Sequence, residues 1–262
     1  MAVRFDVITL FPELFAPFQN VGVTRRAFET GQVDVRLWPL RDHAEGVYRR
    51  VDDRPFGGGP GMVMLVEPLV RCLSAIRSDQ AVAGAERLPV VLFSPAGKPL
   101  TQQRVQQLAQ GPGAVLLCGR YEGIDQRFID AHVDEEISMG DYVLSGGELP
   151  ALTLIDAVTR LQPGVLHDAA SHEQDSFSGG LLDCPHYSRP EVLSLPDLGD
   201  LAGVDAAVPP VLMSGHHAHI ARWRREQQLA ITARRRPELI EAARARGELS
   251  KQDEHFLSQL AL

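Results

Sequence analysis

Three short segments of this 262-residue chain combine glycine with an aromatic residue or proline and carry few cations: "SPAGKP" (94–99), "GRYEG" (119–123) and "SMGDYVLSGG" (138–147). Glycine has no Cβ, so a ligand can approach the bare backbone there. A phosphate cradle normally adds a lysine or an aimed helix N-terminus. Residues 138–148 hold no basic side chain and carry Asp141 and Glu148 instead. Such a lining suits an uncharged, adenosine-like heterocycle held by backbone hydrogen bonds between apolar walls. Each segment alone also reads as a plain turn. Three of them together favour a ligand that is not a polyphosphate.

The remaining candidates keep two readings each. "VDDRPFGGGPGM" (51–62) lacks the GK[ST] of a phosphate loop, and Pro55 and Pro60 would break a nest of amides. It is either a structural turn or a substrate-side loop at which Arg49, Arg50 and Arg54 meet phosphates. Arg160, near the end of an apolar helix, answers the helix dipole or serves a site. Asp175 opens "SFSGG" as a turn or N-cap residue, or acts chemically. Cys184-Pro185-His186-Tyr187 resembles a nucleophile pair, but proline fixes the direction between the two and no partner base is identifiable. His216, His217 and His219 lack cysteine or spaced carboxylate partners, so a solvated basic face fits better than a metal tract. Arg222, Arg224, Arg225, Arg234, Arg235 and Arg236, with Trp223 among them, suit phosphate contacts plus one stacking surface. A solvated helix face is the competing reading.

The elements that would position these residues alternate over the first ~165 positions. "VRFDVITL" (3–10), "VDVRLW" (33–38), "LPVVLF" (88–93) and "AVLLC" (114–118) read as strands. "EPLVRCLSAI" (67–76) and "TQQRVQQLAQG" (101–111) read as helices, the second with Thr101 as N-cap and Gly111 as its stop. Alternation of this kind predicts a largely parallel sheet with helices on both faces, and ligands gather at the carboxyl ends of its strands. "GELPALTLIDAVTRLQPG" (147–164) is the clearest helix, with an apolar stripe through Leu149, Leu152, Ile155 and Val158. Residues 167–180 and 194–210 read as linkers or long loops, and the last ~50 positions as a smaller helical domain.

Composition bounds the rest. Apolar residues make up 44% and charged residues 23%, a globular balance. No apolar run nears the roughly 18 residues needed to span a bilayer, and the N-terminus lacks a signal-peptide pattern. Cys72, Cys118 and Cys184 are scattered, which argues against disulfides and a zinc site and fits a reducing cytoplasm. The net charge of −8 is unevenly spread: residues 167–210 carry −7 and residues 211–262 carry +3. Local potential governs polyanion binding, so the tail is a candidate for RNA contact.

"ITLFPELF", "DDRPFGGGPGM", "LCGRYEGIDQRFID", "ISMGDYVLSGGELPALTLIDAVTRLQPGVL", "DSFSGGLLDCPHYSRP", "HHAHIARWRREQ" and "RRRPELI" together resemble the bacterial tRNA (guanine-N1)-methyltransferase family. That family methylates the guanine beside the anticodon, at tRNA position 37. The resemblance runs nearly end to end; "EGVYRR" (45–50) and 194–210 receive no role from it. It implies an α/β fold whose S-adenosylmethionine-binding domain, 1–166, is a knotted (trefoil) parallel-sheet methyltransferase domain of the SPOUT type. A flexible linker over 167–178 and a small α-helical tRNA-binding domain over 179–262 would follow. General topology rules make knots rare and would favour an ordinary open sheet. The resemblance overrides that expectation. It also implies a homodimer with the active site between subunits, and a Mg²⁺ requirement whose ligands it leaves unknown; Glu122, Asp175 and Asp183 are candidate carboxylates.

Carried over by position, the donor would be bound by Ser94, Pro95, Gly119, Tyr121, Glu122, Met139, Gly140, Asp141, Tyr142, Val143, Leu144, Gly146 and Gly147. The substrate RNA would meet Arg54, Asp183, His186, Arg222, Arg224 and Arg225. Guanine N1 keeps its proton at neutral pH, so methylation needs a base and a cation for the charge that spreads onto O6. By family position Asp175 is the base and Arg160 the O6 partner. Two other readings compete: a related knotted enzyme methylating ribose 2′-hydroxyl of RNA, and a non-catalytic RNA-binding protein using the basic tail.

Overall fold

The structure, a computed structural model, describes residues 2–166, 174–193 and 207–260. The chain divides into two compact units, Met1–Ala169 and Ala170–Leu262. Of the segments read as linkers or loops, residues 167–173 and 194–206 lie outside the described residues.

The first unit is built on a five-stranded sheet. Its strands are β1 (Val3–Thr9), β2 (Val33–Pro39), β5 (Val90–Pro99), β6 (Gly113–Leu117) and β7 (Glu135–Ser138), in the order β2-β1-β6-β5-β7. Every neighbouring pair is parallel. A two-stranded antiparallel ribbon, β3 (Asp52–Asp53) and β4 (Val63–Met64), stands apart from it.

Helices cover both faces, as parallel strands require. On one face α4 (Gln102–Gln110) and α6 (Glu148–Thr159) bury Val105, Leu108, Leu154, Ile155 and Val158 against Val7, Leu116 and Ile137. On the other, α3 (Val66–Val82) and α5 (Gln126–His132) bury Leu69, Cys72, Ile76 and Phe128 against Ile8, Val90 and Leu117. Two short helices, α1 (Ala16–Asn20) and α2 (Arg25–Glu29), join β1 to β2.

All seven residues of strand β1 are buried, as a strand covered on both faces requires. Its charges compensate one another. Arg4 donates twice to Asp6 at 2.9 Å, and Asp6 also accepts from Trp38 Nε1 and Gln80 Nε2, each at 2.9 Å. A buried carboxylate with that many donors avoids the penalty of an unpaired charge.

Two readings need correction. Leu149 was expected in the buried stripe of α6 but is 55% exposed, since the inward face of the first turns is taken by Pro150 and Ala151. Strand β5 does not end at 93; it resumes through Pro99 after a register shift between Phe93 and Lys98, which lifts 94–97 out of the ladder.

The second unit holds α7 (Pro210–Met213), α8 (His217–Arg235), α9 (Pro237–Ala245) and α10 (Lys251–Gln259). Leu229, Ala233, Ile240, Ala243 and Leu257 pack with Leu181 into one small core. Ser250 starts α10 with a capping box, its hydroxyl accepting from Asp253 N while the Asp253 carboxylate accepts from Ser250 N. No helix among the described residues is long and apolar enough to cross a membrane.

Candidate functional site

The three glycine-bearing segments meet around one cavity of about 270 Å³ at the carboxyl end of the sheet. Every residue named above for the donor lines it except Asp141, which is exposed beside it. Leu92, Ile137 and Pro150 add apolar wall that sequence reading did not assign.

Close backbone approach explains the glycines that matter most. Gly147, the N-cap of α6, sits so near β6 that a Cβ would lie 2.6 Å from Cys118 Cα. Its N–H donates to Gly119 O at 2.9 Å, tying the third segment to the second. Gly140 turns at φ +125°, a conformation that side-chain-bearing residues avoid. Tyr121 is a non-glycine residue at φ 61°, strain that clusters at functional sites. Burial raises its phenol pKa, and neighbouring Asp52 pushes it in the same direction while Arg41 opposes.

The cavity's guanidinium is already engaged. Arg120 Nε donates to Glu148 Oε2 at 2.8 Å and Nη1 donates to Ser145 O at 3.1 Å, while the group lies 4.5 Å over the Phe11 ring. Glu148 is fully buried, and its other oxygen accepts from Thr9 Oγ1 at 2.9 Å. Glu148 stood out from the sequence only as an acid in a stretch without cations; Arg120 and Thr9, its partners, were not singled out. With that cation spent on an internal carboxylate, the cavity offers backbone amides and apolar surface rather than a polyanion site. A nucleoside-type donor fits this lining.

Glu122 faces the cavity with its carboxylate turned to the neighbouring loop, where Oε2 accepts from Met62 N at 2.7 Å. Arg160 is the half-buried C-cap of α6. Burial raises the pKa of Asp156, one turn earlier, and Arg160 pulls it back. Asp156 edges a second hollow with Phe18, Tyr142, Leu144 and Leu149. Arg54 is exposed on the loop between β3 and β4.

The second unit carries the other named residues. Asp175 begins a turn in which its carbonyl accepts from Ser178 N at 3.2 Å. Asp183 accepts from Cys184 N at 2.6 Å and pairs with His186 Nε2 at 2.8 Å. Burial would raise its carboxyl, but His186 and the Cys184 N–H outweigh that and hold it low. Burial pushes the Cys184 thiol up, as does Asp183, against a smaller pull from Arg224. That suits a packed thiol rather than a nucleophile. Tyr187 and Trp223 lie ring to ring at 6.2 Å.

The arginine row divides. Arg222 pairs with Glu226 at 2.8 Å, and Arg225 forks onto Asp253 at 3.2 and 3.0 Å, which binds α8 to α10. Arg224, Arg234 and Arg235 are exposed.

Among the described residues, Asp183, Cys184 and His186 bring metal-capable atoms within 4.8 Å of one another. This mixed S, N, O set is not the all-oxygen shell that Mg²⁺ takes. This cluster does not fit Mg²⁺.

A family model described as "tRNA (Guanine-1)-methyltransferase TrmD" matches residues 3–242. A relative from Methylibium petroleiphilum is 72% identical over 258 residues, covering 98% of each chain. One from Leptothrix cholodnii is 70% identical over 99% of this chain and 100% of its own. One from Paracidovorax citrulli is 62% identical over 98% of each. All three bear the name tRNA (guanine-N(1)-)-methyltransferase.

Proposed function

Because this chain belongs to the tRNA (guanine-1)-methyltransferase family, we propose that it transfers a methyl group to N1 of a tRNA guanine, the one at position 37 beside the anticodon. The observation that carries this reading is the cavity of bare backbone and apolar wall, with its one lining arginine spent on Glu148. S-Adenosylmethionine, when bound there, supplies a sulfonium-activated methyl group.

The chain's own residues must then handle charge. Removing the N1 proton leaves an anion shared with O6. Asp175 takes that proton, and Arg160 steadies O6 and lowers the N1 pKa so that a carboxylate suffices as base. A positioned base contributes about 10²–10⁴-fold, and a donor aimed at developing charge about 2.7–4 kcal/mol.

Arg160 belongs to the first unit and Asp175 to the second. The reading joins them in a homodimer whose active site lies between subunits. Tyr142, Val143, Leu144 and Leu149 support it: 57%, 87%, 39% and 55% exposed, they form an apolar surface that a second copy would cover. The trefoil knot, the tRNA-binding role of the helical unit and a cytoplasmic location belong to the same proposal. The Gly147–Gly119 hydrogen bond holds the second and third of these loops together at the cavity.

Incubation with labelled donor and unmodified tRNA transcripts tests this, with the product located by mass spectrometry. Methyl on N1 of guanine 37, absent when that base is replaced, is the expected result. Methyl on a ribose, or none, would refute it.

A further inference from the structure

The loop between β3 and β4 grows directly out of the cavity wall. Met64 N donates to Gly123 O at 2.9 Å, and Asp125 N donates back to Met64 O at 3.2 Å. Glu122 N donates to Met62 O at 3.1 Å, while Met62 N donates to the Glu122 carboxylate at 2.7 Å. On the other strand, Asp52 neighbours the Tyr121 phenol. Both roots of the loop are therefore fastened to the 119–123 segment that lines the cavity.

The fastening constrains the backbone. Gly57, Gly58, Gly59 and Gly61 all have positive φ, and a Cβ on Gly61 would fall 1.7–2.0 Å from the Glu122 carboxylate group. On this anchored loop Phe56 is 100% exposed, and Arg54, two positions earlier in the chain, is exposed too. A phenyl ring wholly in water contributes nothing to the fold. With an exposed arginine two positions away on the same loop, the segment has the composition of a single-stranded RNA platform, a π-face for a base and a cation for phosphate.

We propose that Phe56 is a positioning residue that stacks on an unpaired base of the tRNA strand entering the cavity, with Arg54 holding the adjoining phosphate. The inference rests on the methyltransferase reading, in which Arg54 already meets the RNA, and adds Phe56 as a stacking contact that reading does not include. The loop carries the base to the donor because its roots and the cavity wall are one hydrogen-bonded piece.

The test compares wild type with Phe56→Ala, Phe56→Leu and Phe56→Trp. Affinity for unmodified tRNA transcript is measured by fluorescence anisotropy, the KM and kcat of methyl transfer by isotope incorporation, and donor affinity by calorimetry. Phe56→Ala is expected to weaken tRNA affinity and raise its KM by roughly 5- to 150-fold, the range for losing one base–aromatic stack. Donor affinity stays unchanged. Phe56→Trp restores binding, whereas Phe56→Leu, apolar but without a π-face, does not. Wild-type tRNA affinity in the alanine variant, or full rescue by leucine, overturns the proposal. Because RNA affinity is read apart from turnover, a wild type that binds tRNA but transfers no methyl would refute the catalytic reading instead.

Discussion

Arg120 and Glu148, 28 positions apart, form a 2.8 Å ion pair that joins the cavity segment after β6 to the first residue of α6. Glu148 has no water contact, and Thr9 from the end of β1 occupies its second oxygen. The pair fixes two of the three glycine-bearing segments and withholds the cavity's cation from any ligand. Removing one member of such a pair strands a buried charge. Glu148→Ala is expected to cost about 3–5 kcal/mol of stability and to weaken donor binding; thermal unfolding and calorimetry measure the two effects.

Gly147 gives a steric prediction. A methyl group there would meet Cys118 Cα at 2.6 Å and Gly119 N at 3.0 Å, both backbone atoms that cannot swing aside. Gly147→Ala should cost roughly 1–3 kcal/mol through overpacking and abolish donor binding by prising α6 from β6. Retention of wild-type donor affinity would show that the approach is looser than described.

Asp253 gives a pH prediction for the helical unit. Burial alone would raise its carboxyl, but Arg225 and the Ser250 N–H outweigh burial and lower it. A folded pKa below the unfolded one means stability that is present above about pH 4. That stability fades as pH falls through the depressed value. Calorimetric scans from pH 7 to pH 3 should show wild type losing more stability than Asp253→Asn, which lacks the pair at every pH. Parallel pH profiles would contradict the assignment.

Much of this was legible locally. Thr101 accepts from Arg104 N and Gly111 ends α4, because capping and stopping are decided within one turn of chain. The strands β1, β2, β5 and β6 stood out as β-forming runs bounded by glycine and proline. Strand β7 did not: "EEIS" is four residues long and half of them glutamate, too short and too polar to show a strand pattern although Ile137 and Ser138 are buried. The cavity loops could be guessed from their glycines. The Arg120–Glu148 pair could not, because only the folded sheet brings positions 120 and 148 together. The ribbon β3–β4 was hidden too, since two-residue strands leave no periodicity to read.

Arg160 is distinguished from a mere helix-dipole residue by shape. Arg160→Lys keeps the charge at the end of α6 but replaces a planar donor fork with a point. Turnover is expected to fall by about 10²-fold, the lower range for losing an oxyanion donor, with stability near wild type. A mild loss in steady-state kinetics would make Arg160 structural.

The central claim is that Asp175 removes the guanine N1 proton while Arg160 holds the resulting charge. Single-turnover methyl transfer by Asp175→Ala, with saturating donor and unmodified tRNA, tests it most directly. A rate about 10²–10⁴-fold below wild type, with calorimetric donor affinity intact, is the predicted result. A variant that transfers methyl at close to the wild-type rate would contradict it.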